Sequence, residues 1–169
     1  PEELVKEWMK AIRNLQHIHS LRFDRCYIDL PADSEFELHA FSDASTDFIG
    51  GAVYIRAMNG GEYRCALVYG KSRIISAREI EKFSIARKEL MALVLATDML
   101  AQCKNALTAD IKRTVMWTDN TTVIKWCACT SKELLVFVRN RVDKILKESN
   151  GVVPRYVDSA QNAADIATR

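Results

Sequence analysis

No apolar run in this chain is long enough to cross a bilayer. The run Leu90–Ala96 is followed at once by Thr97 and Asp98, far short of the roughly 20 residues a membrane helix needs. The start lacks the basic-then-apolar order of a secretory leader. Charge of neither sign dominates: the formal net charge is +2 and the isoelectric point about 8.4, so composition alone says little for a polyanionic partner. The cysteines Cys26, Cys65, Cys103, Cys127 and Cys129 are five, an odd number lying mostly in apolar segments. They imply no disulfide framework and fit buried thiols in a reducing, intracellular compartment, cytoplasmic or nuclear. Neither Cys127-Ala-Cys129 nor His17-Ile-His19 has the spacing of a zinc pair. There is no internal repeat and no low-complexity tract.

What is present is an ordinary globular mix, 49% hydrophobic and 27% charged over 169 residues, enough for one soluble domain with a real core and some extra material. Because the chain begins at Pro1 and stops straight after its last motif, it is expected to be a piece of a longer polypeptide. Residues 1–34 read as an amphipathic helix, with Leu4, Trp8, Ile12 and Leu15 on one face, followed by an irregular connection. Residues 35–169 read as the domain proper. Phe36, Leu38 and Ala40 alternate as in a strand, Gly50–Ile55 and Tyr63–Tyr69 are β-rich, and Met58-Asn59-Gly60-Gly61 between them marks a hairpin. Helical spacing then runs over Ser84–Cys103, a fourth strand over Ile111–Trp117, and helices over Asn120–Ala128 and Lys132–Glu148, the last stopped by Asn150-Gly151. Val152–Val157 is a fifth strand, and Asn162–Arg169 begins a last helix. The order predicts an α/β fold with a five-stranded mixed sheet, its first three strands antiparallel, flanked by helices. Trp8, Trp117 and Trp126 are expected to serve as core or docking residues.

Four acidic residues stand in distinct local settings: Asp43 in ELHAFSDAS, Glu89 in ARKELMAL, Asp119 in VMWTDNTTV and Asp165 in QNAADIATR. Singly, each has an ordinary explanation. Asp43 can be a strand-end turn residue, Asp119 and Asp165 helix caps, and Glu89 a surface acid paired with a neighbouring base. Together they read as a Mg²⁺ site, because carboxylates gathered by a fold repel one another unless divalent cations lie among them. Paired cations about 3.5–4 Å apart are what in-line hydrolysis of a phosphodiester uses. Lys71, Arg73, Arg78, Lys82, Arg87 and Lys88 face only Glu79 and Glu81 in their segment, and form either a phosphate-facing rim or a solvated linker. Arg139, Asn140 and Arg141 offer the same choice on the long helix.

FSDAS, KEL, WTDN and NAAD, in that order, resemble the four motifs of the ribonuclease H domain. With Lys71-Ser72-Arg73, FVRNRV and the closing NAADIATR, the chain from Glu35 to Arg169 resembles the ribonuclease H region of BEL/Pao-type retroelement polyproteins. Its leading helix resembles the connection to the reverse transcriptase. The resemblance implies a ribonuclease H-like fold and endonucleolytic cutting of the RNA strand of an RNA/DNA hybrid, with two Mg²⁺ ions, or Mn²⁺ in their place. Asp43 would bridge both ions, Glu89 and Asp119 would complete the leaving-group ion, and Asp165 would help hold the nucleophile ion. Ser45, Lys71, Arg73, Arg87, Asn120, Thr121 and Arg141 are the expected nucleic-acid contacts. Expected partners are the hybrid, an upstream reverse transcriptase region and a protein held by the leading helix.

The sequence departs from the family's pattern before its last Asp. Many members have a His in a Gly-containing loop there, whereas Tyr156 occupies that position in Arg155-Tyr156-Val157-Asp158-Ser159-Ala160-Gln161-Asn162. A phenol does not exchange protons near neutrality as an imidazole does, so slow turnover, dependent on Mn²⁺, is expected. A basic insertion known in some members is also absent, which predicts low substrate affinity for the isolated domain. Proofreading-type exonucleases want an Asp-x-Glu that Asp43-Ala44-Ser45 lacks, and integrases place their Glu last. The alternative from another class is a host-adopted module, catalytically weak or inactive, that binds protein or nucleic acid.

Overall fold

Leu38 and Ala40, alternate positions of one strand, are both fully buried, and the sheet is assembled around that strand, β1 (Glu35–Ala44). The structure, a computed structural model, describes residues 2–22, 26, 28–29, 31, 34–129 and 133–169. β1 pairs antiparallel with β2 (Phe48–Asn59), which pairs antiparallel with β3 (Glu62–Ile74). At the β2–β3 turn Gly60 and Gly61 have φ of 56° and 90°, the primed hairpin geometry that follows the twist of the strands. On its other side β1 pairs in parallel with β4 (Ile111–Thr118), and β4 with β5 (Arg155–Tyr156). The resulting order, β3-β2-β1-β4-β5, is the five-stranded mixed sheet expected.

Parallel neighbours need a crossover, and here it includes β2, β3 and two helices, α2 (Ala77–Lys82) and α3 (Ile85–Ala106), with α1 (Glu2–Leu15) preceding the sheet. Leu90, Leu93, Ala96, Met99, Leu100 and Cys103 of α3 share one core with Leu38, Ala40, Val53, Ile55 and Met116 of the strands. Helices α4 (Thr121–Ala128) and α5 (Val136–Glu148) add Val123, Cys127, Val138, Val142 and Ile145 to it. Residues of opposite parity on β1 point to the other face, where Phe41 stacks on Trp117 and meets Tyr54 edge-on. Trp117 Nε1 donates to His39 Nδ1 there at 3.1 Å. No helix among the described residues is long and apolar enough to cross a membrane.

Several expectations are corrected. The segment between Lys71 and Lys88 is not a linker: Lys71 and Arg73 belong to β3, and α2 opens with a capping box between Ser76 and Glu79. Lys88 is buried, its Nζ donating to the Thr46 carbonyl at 2.8 Å. β5 spans two residues rather than six, and the last helix is a 3₁₀ turn, Asp165–Ala167. Of the cysteines, Cys103 and Cys127 are buried, whereas Cys26, Cys65 and Cys129 are exposed. Leu4, Trp8, Ile12 and Leu15 do sit on one helix, but α1 buries none of its residues, so Trp8 is not a core residue. Trp126 packs against the core. α5 begins at Val136, with Leu135 at its cap position, and not at Lys132, which lies outside the described residues, as do parts of the connection before residue 34.

Gly50 is where the end of the chain meets the sheet. It pairs with Asp43 across β1 and β2, and a Cβ on it would lie 2.9 Å from both Ala167 Cβ and Thr168 Cγ2, with the Ala167 carbonyl carbon at 3.3 Å. Gly50→Ala should therefore destabilise the domain by about 1–3 kcal/mol, in the range of overpacked sites. Chemical denaturation compared with Gly70→Ala, where a Cβ meets nothing within 4 Å, checks this. Equal effects would show that the contact is not tight.

Candidate metal centre

Two parallel strands in register deliver two carboxylates to one edge of the sheet. Ser42 of β1 lies opposite Thr118 of β4, so Asp43 and Asp119, each one residue further on, emerge side by side. Residue Glu89, in the second turn of α3, comes to the same point because its helix packs across β1 and β2. One carboxylate oxygen from each of Asp43, Glu89 and Asp119 lies within 4.8 Å of the other two. Asp43 and Glu89 are buried and Asp119 is half-buried.

The electrostatics follow from that crowding. Burial, and then the Asp43 and Asp119 charges, push Glu89 up from an ordinary 4.5 to about 8. Burial also raises Asp43, helped by Asp119 and Asp165, while a hydrogen bond from Thr168 works in the opposite direction. Glu89 Oε2 is the one buried side-chain oxygen or nitrogen among the described residues that has no hydrogen-bond partner. A buried oxygen without a donor is unfavourable, and here it belongs to a convergent set of oxygen ligands. Such a set fits a hard divalent cation such as Mg²⁺ or Mn²⁺, which takes carboxylate oxygens.

The ordinary explanations for single acids do not hold in the structure. Asn120, not Asp119, caps α4, accepting from the Thr122 and Val123 amides at 3.0 and 3.2 Å. Asp119 instead accepts from Ser159 Oγ at 2.6 Å. The last 3₁₀ turn has Ala164 at its cap position with no side-chain bond, so Asp165 caps nothing. Asp165 lies close enough to raise Asp43, but it is paired with Arg169 and is not one of the three that converge.

The expected nucleic-acid contacts divide. Arg73 and Arg141 line one hollow with Asp98. Arg141 and Arg87 both lie over the Phe137 ring, at 3.5 and 5.3 Å, so these three arginines form one basic neighbourhood. Two of them also have a structural contact, Arg73 with Glu79 and Arg141 with the Phe137 carbonyl. Lys71 lines a different hollow, beside Tyr54, Leu67 and Ile166. Ser45 closes the β1–β2 turn, its Oγ accepting from the Phe48 amide at 3.1 Å, and Thr121 is exposed at the first turn of α4. Tyr156 pairs with Thr118, immediately before Asp119, and is exposed.

Sequence reasoning missed the hydroxyl and amide groups that serve this cluster. Ser159 lay within the noted loop but without a role, and Thr168 and Asn162 lay within the NAADIATR motif in the same way. Asn162 Nδ2 donates to the Ser42 carbonyl at 3.0 Å, and Thr168 Oγ1 donates to Asp43 Oδ2. These partners are 120 and 125 residues apart in sequence, which no local pattern signals.

The raised Glu89 predicts how the metal-free chain responds to pH. Between about 4.5 and about 8 the folded chain holds a proton that the unfolded chain has released, so stability falls as pH rises through that window. The loss is on the order of a few kcal/mol, and the raised Asp43 adds to it in the same direction. Glu79, held down to about 2 by its capping hydrogen bonds, acts at lower pH and with opposite sign. The melting temperature in chelator should drop from pH 5 to pH 8, and Glu89→Gln should flatten most of that slope. An unchanged slope in the variant would place its origin elsewhere.

A model of the Pao retrotransposon-like RNaseH-like domain matches residues 1–120, a span that contains Asp43, Glu89 and Asp119 and stops before Asp165. No curated protein matches. Among solved structures, LC11-RNase H1 in complex with RNA/DNA hybrid, isolated from compost by a metagenomic approach, is similar at 14% identity and a TM-score of 0.50, covering 79% of this chain and 93% of that one. RNase H1 from the halophilic archaeon Halobacterium salinarum is similar at 15% identity and a TM-score of 0.47, with 79% and 93% coverage. The foamy viral protease-reverse transcriptase in complex with dsDNA is similar at 15% identity and a TM-score of 0.42, covering 93% of this chain and 30% of that one. The mixed sheet with its flanking helices is the ribonuclease H fold, and with more than half of its length matched the chain belongs to the Pao retrotransposon-like RNaseH-like domain family.

Proposed function

We propose that this domain is an endonuclease that hydrolyses the RNA strand of RNA/DNA hybrids, as the ribonuclease H region of a retroelement polyprotein. The observation that carries this reading is the convergence of Asp43, Glu89 and Asp119 from three separate elements, with Glu89 buried and its Oε2 unpartnered. A set this repulsive destabilises the empty fold and makes chemical sense only with cations between its members. Asp43, Glu89 and Asp119 would hold the divalent ions, and Asp165 would be the further carboxylate that contributes to them. The chemistry such ions supply when bound is activation of a water and neutralisation of charge on the leaving oxygen.

The residues of this chain then have separable tasks. Asp43, Glu89 and Asp119 fix where the scissile phosphate sits, at the carboxyl ends of β1 and β4, where open α/β sheets bind ligands. Water's oxygen bonds to phosphorus while the bond to the 3′ oxygen breaks, leaving a 3′-hydroxyl and a 5′-phosphate. Arg73, Arg87 and Arg141 would supply a positive flank for a strand's phosphates, with Lys71 lining a separate hollow. Ser45, Asn120 and Thr121, at the turns that follow Asp43 and Asp119, would contact the sugar-phosphate backbone. Selection of RNA over DNA would rest on 2′-hydroxyl contacts in the hybrid's wide minor groove. Tyr156, exposed beside Asp119, provides no imidazole for proton exchange, so turnover should be slow and Mn²⁺ should support it better than Mg²⁺. An upstream reverse transcriptase region would add grip on the substrate, and the apolar face of α1 offers a contact for it or for another protein.

Cleavage of a labelled RNA/DNA hybrid, beside duplex RNA, duplex DNA and single strands, tests this directly. Hybrid-specific cutting is expected with Mn²⁺ and more weakly with Mg²⁺. Asp43→Asn should lower it by at least ~10²-fold, the scale on which removal of a group stabilising the transition state acts, while raising the melting temperature of the metal-free chain near pH 8. A folded chain that cuts nothing with either ion would favour the host-adopted binding module instead.

A further inference from the structure

The buried hydroxyl of Thr168 is the clearest feature of the carboxylate cluster that the proposed chemistry leaves unused. Thr168 is 4% exposed and sits just past the last 3₁₀ turn, next to the end of the chain. Its Oγ1 lies against two acceptors, Asp43 Oδ2 and the Asp165 carbonyl, the latter at 3.1 Å. A hydroxyl has one proton, and an ionised carboxylate is the stronger acceptor. The proton therefore goes to Asp43.

The contact is held from two directions. Asn162, 4% exposed, ties the start of the same turn to the Ser42 carbonyl, the residue before Asp43, and its Oδ1 accepts from the Ala164 amide at 3.2 Å. Gly50, paired with Asp43, leaves the space that Ala167 and Thr168 occupy, since a Cβ there would stand 2.9 Å from each. Asp165, on the same turn, is paired with Arg169. The end of the chain thus meets Asp43 with a neutral donor. A hydroxyl satisfies one oxygen of a carboxylate without competing with a cation by charge, as a lysine or arginine at that place would.

From this geometry we infer that Thr168 is a positioning residue for the metal centre: its hydroxyl holds one oxygen of Asp43 and so orients the other toward the cation shared with Glu89 and Asp119. The inference rests on the metal-binding reading of those three carboxylates and adds to it a partner from the far end of the chain. Partners of this kind, behind the ligands themselves, set ligand orientation, and their loss costs about 10–100-fold in metal affinity. Because the same turn carries Asp165, the bond also sets how far the fourth carboxylate stands from the other three.

Calorimetric titration of Mn²⁺ into the full chain tests this without any turnover. Thr168→Val keeps the shape that fills the space beside Gly50 and removes the donor. It should weaken Mn²⁺ binding about 10-fold or more, and lower the metal-free melting temperature only as far as the loss of one buried hydrogen bond does. Thr168→Ser and Thr168→Ala both lose the methyl group and differ only in the hydroxyl, so they provide the comparison even if the valine variant folds poorly. Serine should stay within about threefold of the wild type and alanine should match valine. Equal Mn²⁺ affinity in the serine and alanine variants would overturn the role of the hydroxyl. Absence of binding by the wild type, or equal binding by Asp43→Asn, would instead overturn the metal-centre reading, and this inference with it.

Discussion

Parallel pairing of β1 with β4 is the constraint on which the site depends. An antiparallel pair would send successive strand ends to opposite edges of the sheet. A parallel pair in register sends both to one edge, and with Ser42 opposite Thr118 the next residues, Asp43 and Asp119, cannot avoid each other. The crossover that parallel pairing demands then explains Glu89. The helix that returns the chain over the sheet must bury its apolar stripe on β1 and β2, and the stripe begins one residue after Glu89, at Leu90. The strongest packing in the domain therefore holds the least comfortable group in it.

The cluster is an arrangement whose electrostatic cost is met only in part by the chain. Neutral donors attend two of its members, Ser159 on Asp119 and Thr168 on Asp43, and Glu89 Oε2 has none. Among the described residues, positive side chains are kept off the three convergent acids. Lys88, adjacent to Glu89 in sequence, turns its ammonium to the Thr46 carbonyl, Arg169 goes to Asp165, and Arg87 and Arg141 gather at Phe137. A cluster satisfied by arginine or lysine would be an ion-pair network. One left with neutral donors and an open oxygen suits a small dication, and its raised Glu89 links the stability of the fold to pH.

Much of this was legible in the chain because it is local. The alternation of Phe36, Leu38 and Ala40, the Asn59-Gly60-Gly61 turn and the apolar spacing from Leu90 to Leu100 each depend on neighbours within a few residues, and each appears in the structure as read. The misreadings are of another kind. Ser76 and Glu79 close a capping box that a sequence rich in Lys and Arg concealed, and Lys88 looked like one more exposed charge until the β1–β2 turn was placed above it. Asp119 has every mark of a helix cap, yet the asparagine after it takes that role and leaves the carboxylate for the cluster.

By itself the sequence determined the order of the five strands, the candidate acids and, through their motifs, the family, because periodicity, turn chemistry and motif order are written in adjacent residues. Tertiary structure alone decided which acids converge, that Asp165 stands apart with Arg169, that Glu89 is buried with an unpartnered oxygen, and that Thr168 and Asn162 reach back to Asp43 and Ser42. The physical reason is distance along the chain. Repulsion between acids on three separate elements, and hydrogen bonds that span 120 and 125 positions, exist only once β1 lies between β2 and β4 and the end of the chain is seated against Gly50.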